Sequence, residues 1–248
     1  MNYKEYGNRN SPVVILLHGG GLSWWNYREI AEMLKDEYHI ILPILDGHAG
    51  SDRGFTTIEE NAREIISFIK STMNGSVFLI GGLSLGGQIL LDVLSQENDI
   101  CRFAFIESAM VIPSQITNAL IRPAFGLSYP LIKKKWFAKL QFRQLRIKKS
   151  LFDDYYRDTC QITKTNMIAF LKANSSYQVK GTLRNCSANI HIYYGQREIA
   201  GIRKSAKIIK EMLPKSALIE LPNLYHGDFS INHPEAYAEA IRKCGSEI

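Results

Sequence analysis

Ser84 stands among four glycines in the run "LIGGLSLGGQILL" from Leu79 to Leu91, with bulky apolar residues on both sides. The local pattern Gly82-Leu83-Ser84-Leu85-Gly86 follows an apolar run that reads as a strand and opens a helical pattern, "SLGGQILLDVLSQ". A sharp strand-to-helix turn forces strained backbone angles on its central residue, and side chains two positions either side would strike the neighbouring strand and helix. Glycine removes the collision and leaves the hydroxyl exposed at the carboxyl edge of a sheet. The helix start also aims free N–H groups and a positive dipole end at developing negative charge. The chemistry this fits is nucleophilic attack by serine. The alternative is an ordinary glycine-rich turn.

A serine hydroxyl needs a base. Of the six histidines, His39 and His191 lie in apolar runs and His233 precedes Pro234 at a helix start. His226 is different: it sits in the polar loop "LPNLYHGDFS", after the last strand pattern and before the last helix pattern. The base needs a carboxylate to hold its tautomer. Glu198 in "YYGQREIAG" meets that need, three residues past the glycine that ends the preceding strand pattern. Its alternative is an exposed helix-start residue. Glu107 is the second candidate acid and Asp228 the third. An oxyanion needs backbone donors, and the glycines of "LLHGGGLSWW" allow close approach, while the Leu85 N–H follows the nucleophile. Trp24 and Trp25 are candidates for lining an acyl pocket, or for packing against another element.

These residues must be held by a sheet. Six short apolar runs read as buried strands: Val13–Gly19, His39–Leu45, Ser76–Gly82, Cys101–Glu107, Asn189–Gly195 and Ala217–Asn223. Helical patterns alternate with them. "TIEENAREIISFIKSTM" opens with Thr57 and Glu60 at capping-box spacing and sets Ile58, Ala62, Ile65 and Ile69 on one face. Strand alternating with helix predicts an α/β fold with a doubly wound, mostly parallel sheet. The alternation breaks over residues 110–180, which are helical in pattern. The expected organisation is a core of residues 1–109 and 181–248, with 110–180 a helical cap inserted before the penultimate strand and not independent of the core.

The 248 residues suffice for one domain, and 46% hydrophobic with 22% charged is ordinary globular composition. No apolar run is long enough to span a bilayer, and the start "MNYKEYGNRN" does not resemble a signal peptide. Cys101, Cys160, Cys186 and Cys244 are scattered, which points to free thiols in a reducing, cytoplasmic setting rather than to disulfides or a metal site. The net charge of +6 is concentrated in one segment: nine basic and no acidic residues lie between Ser108 and Phe152. The readings for that segment are a solvated face, attraction of an anionic substrate, or peripheral contact with an anionic membrane. Nucleic acid is a poor fourth choice and is not expected as a partner, because no recognition motif accompanies the charge.

Taken in order, "HGGG", "DGHAGSD", "GLSLGG", "GQRE" and "YHGD" resemble the motifs of the α/β-hydrolase superfamily, in its lid-bearing, single-domain esterase and lipase branch. The resemblance takes in nearly the whole chain apart from the insertion. It implies a Ser-acid-His triad at Ser84, Glu198 and His226, no cofactor, and oxyanion donors at the Gly20 and Leu85 N–H groups. Glu198 stands where the family more often has aspartate. His18 and His48 match positions that are structural. A serine nucleophile argues against the similar dehalogenase and epoxide-hydrolase branches, which use aspartate.

The expected activity is hydrolysis of a small or medium carboxylic ester through an acyl-enzyme. The alternatives are a thioester or carbon–carbon bond in an anionic substrate, or a non-catalytic binding protein on the same fold.

Overall fold

In the computed structural model, which describes residues 1–246, seven strands form one sheet in the order β1-β3-β2-β4-β5-β6-β7. The strands are β1 Tyr3–Tyr6, β2 Val13–Leu17, β3 His39–Pro43, β4 Val77–Leu83, β5 Cys101–Glu107, β6 Asn189–Gly195 and β7 Ala217–Leu221. All neighbours run parallel except β1, which pairs antiparallel with β3. Central β2 and β4 are almost wholly apolar because helices cover both faces of a parallel sheet.

The covering helices follow the strands in sequence: α1 Arg28–Leu34, α2 Ile58–Thr72 and α3 Leu85–Gln96. Thr57 caps α2 by accepting the Glu60 N–H at 3.0 Å, while the Glu60 carboxylate turns to Arg63 and leaves the capping box half made. Ile58, Ala62, Ile65 and Ile69 are buried against the sheet as the spacing requires.

Between β5 and β6 the chain forms four helices: α4 Gln115–Ile132, α5 Lys135–Gln144, α6 Phe152–Gln161 and α7 Lys164–Ser176. This helical insertion precedes the penultimate strand. It is tied to the sheet layer by buried and part-buried polar bonds. Trp25 Nε1 donates to Asp158 Oδ2 at 2.8 Å, and the Gln88 amide donates to the carbonyls of Met110 (2.7 Å) and Asn174 (3.0 Å). The Phe55 N–H donates to Asn166 Oδ1 at 3.2 Å. The chain then returns through α8 Ala200–Met212, α9 Asp228–Asn232 and α10 Pro234–Ser246.

The sheet's β1 is absent from the six strands read from sequence. "YKEY" is short, exposed and polar, and its pairing partner β3 supplies the reason it is a strand. The other six strands lie where the apolar runs place them, with β5 and β6 matching residue for residue.

Candidate active site

Ser84 occupies the turn between β4 and α3 with φ 53° and ψ −109°, a left-handed conformation that costs a non-glycine residue of order 1–3 kcal/mol. The turn is fixed by backbone bonds. Ser84 N–H donates to the Glu107 carbonyl at 2.8 Å, and the Ser84 carbonyl accepts the Gln88 N–H at 3.0 Å. The flanking glycines are required by close approach. A Cβ on Gly82 would lie 2.4 Å from the Gly86 carbonyl oxygen, and one on Gly86 only 2.1 Å from that of Leu17. The hydroxyl opens into a cavity of about 250 Å³, which is also lined by Gly20, Arg146, Arg197, Tyr225 and His226.

His226 lies in the β7–α9 loop, and its Nδ1 is 3.0 Å from Glu198 Oε2. The loops carrying the two residues are joined by the Arg197 N–H to the Leu224 carbonyl at 2.9 Å. The Glu198 side chain is buried, and its Oε1 accepts the Ser108 hydroxyl at 2.6 Å and the Gly195 N–H at 2.9 Å. Burial by itself pushes this carboxyl up. The hydrogen bond and charge of His226, with the bonds from Ser108 and Gly195, outweigh it and hold the group below its ordinary value. Such a carboxylate can fix Nδ1–H on the imidazole and leave the other ring nitrogen to accept a proton.

The other two carboxylates have different surroundings. Glu107 is buried, and its Oε1 accepts the Ser230 N–H at 3.2 Å. Burial pushes it up to about 7, and the charge of Glu198 acts in the same direction. Asp228 is committed to the Tyr225 N–H at 2.7 Å and the Asn232 amide at 2.6 Å.

The glycine-rich loop after β2 reaches the same cavity. The N–H groups on either side of Gly20 are committed, that of Gly19 to Asn26 Oδ1 at 3.4 Å and that of Gly21 to His48 Nε2 at 3.0 Å. The Gly20 N–H takes neither acceptor. A Cβ on Gly20 would sit 3.5 Å from the Leu85 side chain, so the loop and the start of α3 are adjacent. As the first residue of α3, Leu85 presents an N–H that no preceding helical turn can accept. His48 donates from Nδ1 to the Asp46 carbonyl, and its ring stacks on Phe170 of α7 with centroids 4.6 Å apart. Burial lowers it to about 4, so it is a neutral acceptor for Gly21. His18 is likewise buried, held well below its usual value, and spans the Gly19 carbonyl and the Leu45 N–H.

A second cavity of about 330 Å³ adjoins the first, sharing Gly20, Leu22, Gln144 and Leu145. Its walls are mainly apolar and include Phe125, Ile132, Met167 and Phe170 from the insertion. Neither tryptophan lines either cavity. Trp25 is buried on Asp158, and Trp24 lies beneath the cations of Lys4 and Arg28. Sequence reasoning passed over Ser108, which has no local motif and reaches Glu198 across 90 residues. Among the described residues no three His, Cys, Asp or Glu side chains gather as a metal-binding group.

The sequence model of the alpha/beta hydrolase family matches residues 14–240. The chain belongs to the alpha/beta hydrolase family. Human epoxide hydrolase 4 is 25% identical over 187 residues, which are 68% of this chain and 50% of that relative's length. Among solved structures, a thermophilic esterase from Thermogutta terrifontis superposes with a TM-score of 0.80 at 17% identity, covering 99% of this chain and 93% of the esterase. The enol-lactonase from Burkholderia xenovorans LB400 gives a TM-score of 0.81 at 13% identity, covering 99% and 96%. At these identities the likeness is one of fold. As a family member this chain has the mostly parallel sheet and inserted cap of a hydrolase; its bond and substrate must be argued from the site.

Proposed function

We propose that this alpha/beta hydrolase is a cofactor-independent serine hydrolase that cleaves a small or medium carboxylic ester. Ser84 Oγ attacks the carbonyl carbon as His226 takes its proton, with Glu198 orienting and stabilising the imidazolium. The Gly20 and Leu85 N–H groups hold the oxyanion. The carbon–oxygen bond to the leaving group breaks, and His226 returns the proton to the departing oxygen. Water then attacks the acyl-enzyme by the same route and frees Ser84.

The observation that carries this reading is the His226–Glu198 hydrogen bond at the mouth of the cavity into which strained Ser84 opens. The epoxide chemistry named for the human relative is disfavoured on chemical grounds. An aspartate that opens an epoxide leaves an ester, which water cleaves at its carbonyl carbon. Serine would leave an ether with no such carbon. Thioesters and activated carbon–carbon bonds remain within reach of the same groups. The four free cysteines fit a reducing, cytoplasmic setting.

Labelling with a fluorophosphonate tests the reading. Wild type should label, Ser84→Ala should not, and His226→Ala and Glu198→Ala should label far more slowly. A folded wild type that never labels would overturn it in favour of a binding protein.

The cap supports a second reading, concerning where the enzyme works. Ile116, Leu120, Leu127 and Leu131 share one exposed face of α4, and exposed Trp136 and Leu140 continue on α5 beside Lys139 and Arg143. Among the described residues no helix is long and apolar enough to cross a membrane. An apolar ridge edged by cations suits the surface of an anionic bilayer. Co-sedimentation with phosphatidylglycerol vesicles, but not with phosphatidylcholine vesicles, is the expected result.

A further inference from the structure

Two arginines flank one tyrosine at the cavity that holds Ser84 and His226. Arg146 follows α5 and lays its guanidinium on the Tyr225 ring, 3.8 Å from the ring centroid. Arg197, from the β6–α8 loop, sits 5.6 Å from the same centroid and donates to the Tyr225 hydroxyl at 3.1 Å and to Asn223 Oδ1 at 3.0 Å. Among the described residues neither guanidinium forms an ion pair with a carboxylate. The nearby Asp228 carboxylate is occupied by the Tyr225 N–H and Asn232.

Both arginines are exposed, and the arrangement is held in place by hydrogen bonds. Arg146 adopts φ 56°, and the conformation is pinned by Asn232, whose amide donates to the Arg146 carbonyl at 2.9 Å and whose Oδ1 accepts the Lys148 N–H at 3.0 Å. A left-handed residue just past a helix end is an ordinary termination, and here that turn places Arg146 at the cavity. Arg197 is next to Glu198 in sequence and Tyr225 is next to His226, so the machinery that sets the imidazole also sets the cations. The two guanidiniums also favour the phenolate form of Tyr225, the hydrogen bond from Arg197 being the larger cause.

The leaving group must lie on the His226 side, where the returning proton is delivered, and that side carries the arginines. The acyl group is then left to the adjoining apolar cavity under the cap. We infer that Arg146 and Arg197 form an anion clamp, and that the substrate carries a carboxylate or phosphate on its leaving group. The inference rests on the ester-hydrolase reading above. Guanidinium suits this role because its planar donors pair with the oxygens of such anions.

Three butyrate esters with a common phenyl leaving group test the clamp: 4-carboxyphenyl, its uncharged methyl ester, and 4-phosphonomethylphenyl. Wild type at low salt should favour an anionic ester over the methyl ester by about tenfold or more in kcat/KM, the size expected of one charge-assisted contact. The better anionic ester identifies the group recognised. The preference should shrink as salt rises, collapse in Arg146→Gln and Arg197→Gln, and recover in part in Arg197→Lys. Lys139→Gln, on the outer cap, should keep it. An active wild type with no preference, or a preference that survives both glutamine variants, overturns the clamp and leaves the hydrolase reading standing. A wild type that cleaves none of the esters and does not label at Ser84 overturns both.

Discussion

Ser108 donates its hydroxyl to Oε1 of Glu198 at 2.6 Å, from backbone that is itself left-handed at φ 56°. The bond occupies the carboxylate oxygen that faces away from His226, and it helps keep Glu198 ionised inside the protein. Ser108→Ala removes that donor. Glu198 is then held less far below its ordinary value and less firmly aimed at His226. The kcat should fall several-fold with KM little changed. An unchanged kcat would show that Ser108 only fills space.

Glu198 and Glu107 are separable by substitution. Glu198→Gln keeps the shape but loses the charge that stabilises the imidazolium, and should lower kcat on the order of a thousandfold or more. Glu107→Gln should cost far less, because a carboxyl pushed up to about 7 is not the standing charge beside His226. Steady-state kinetics on the two variants decides between them, and the reverse ranking would make Glu107 the acid.

Glu107 also has a signature in stability. Its ordinary value is 4.5 and its folded value about 7, so the folded chain holds this proton more tightly. The stabilisation is complete below 4.5 and is lost as pH rises to about 7. Glu198, held low, acts in the opposite sense: its contribution is present above its ordinary value and lost as pH falls. Glu107→Gln should therefore gain on wild type at pH 8 relative to pH 5, by about 3 kcal/mol at most. Urea unfolding at the two pH values measures it. Parallel losses in both proteins would place the proton elsewhere.

Gly86 and Gly126 should respond oppositely to alanine. At Gly86 the new methyl would lie 2.1 Å from the Leu17 carbonyl oxygen, so β2 and α3 must part, at a cost above about 3 kcal/mol. At Gly126, inside α4, nothing lies within 4 Å, and the helix should gain about 0.5–1 kcal/mol. Thermal unfolding of the pair is the check, and equal shifts would discount the close approach.

His48→Ala should act through the glycine loop. Gly21 loses its acceptor and Phe170 its stacking partner, and the Gly20 N–H is less well aimed. The expected loss is on the order of tenfold to a hundredfold in kcat with KM little changed, since an oxyanion donor matters most in the transition state. A rise in KM alone would assign His48 to substrate binding.

Much of this was legible in the sequence because its causes are local. β5 and β6 announce themselves as apolar runs between turn residues, and Ser84, Glu198 and His226 each follow one. What was not legible depends on chain remote in sequence. β1 is polar and becomes a strand through β3. Ser108 reaches Glu198, and Arg146 reaches Tyr225, only once the sheet and cap have met. Trp25, next to the glycine loop in sequence, turns to Asp158 across 133 residues instead of toward the cavities.

That last contact bears on how substrate arrives. A lid that swings must break its seal, and breaking Trp25–Asp158, Gln88–Met110 and Phe55–Asn166 together would leave several buried or part-buried polar groups unpaired. The insertion is thus fastened to the sheet layer at three places, and any opening that moves it as one body must part all three bonds at once.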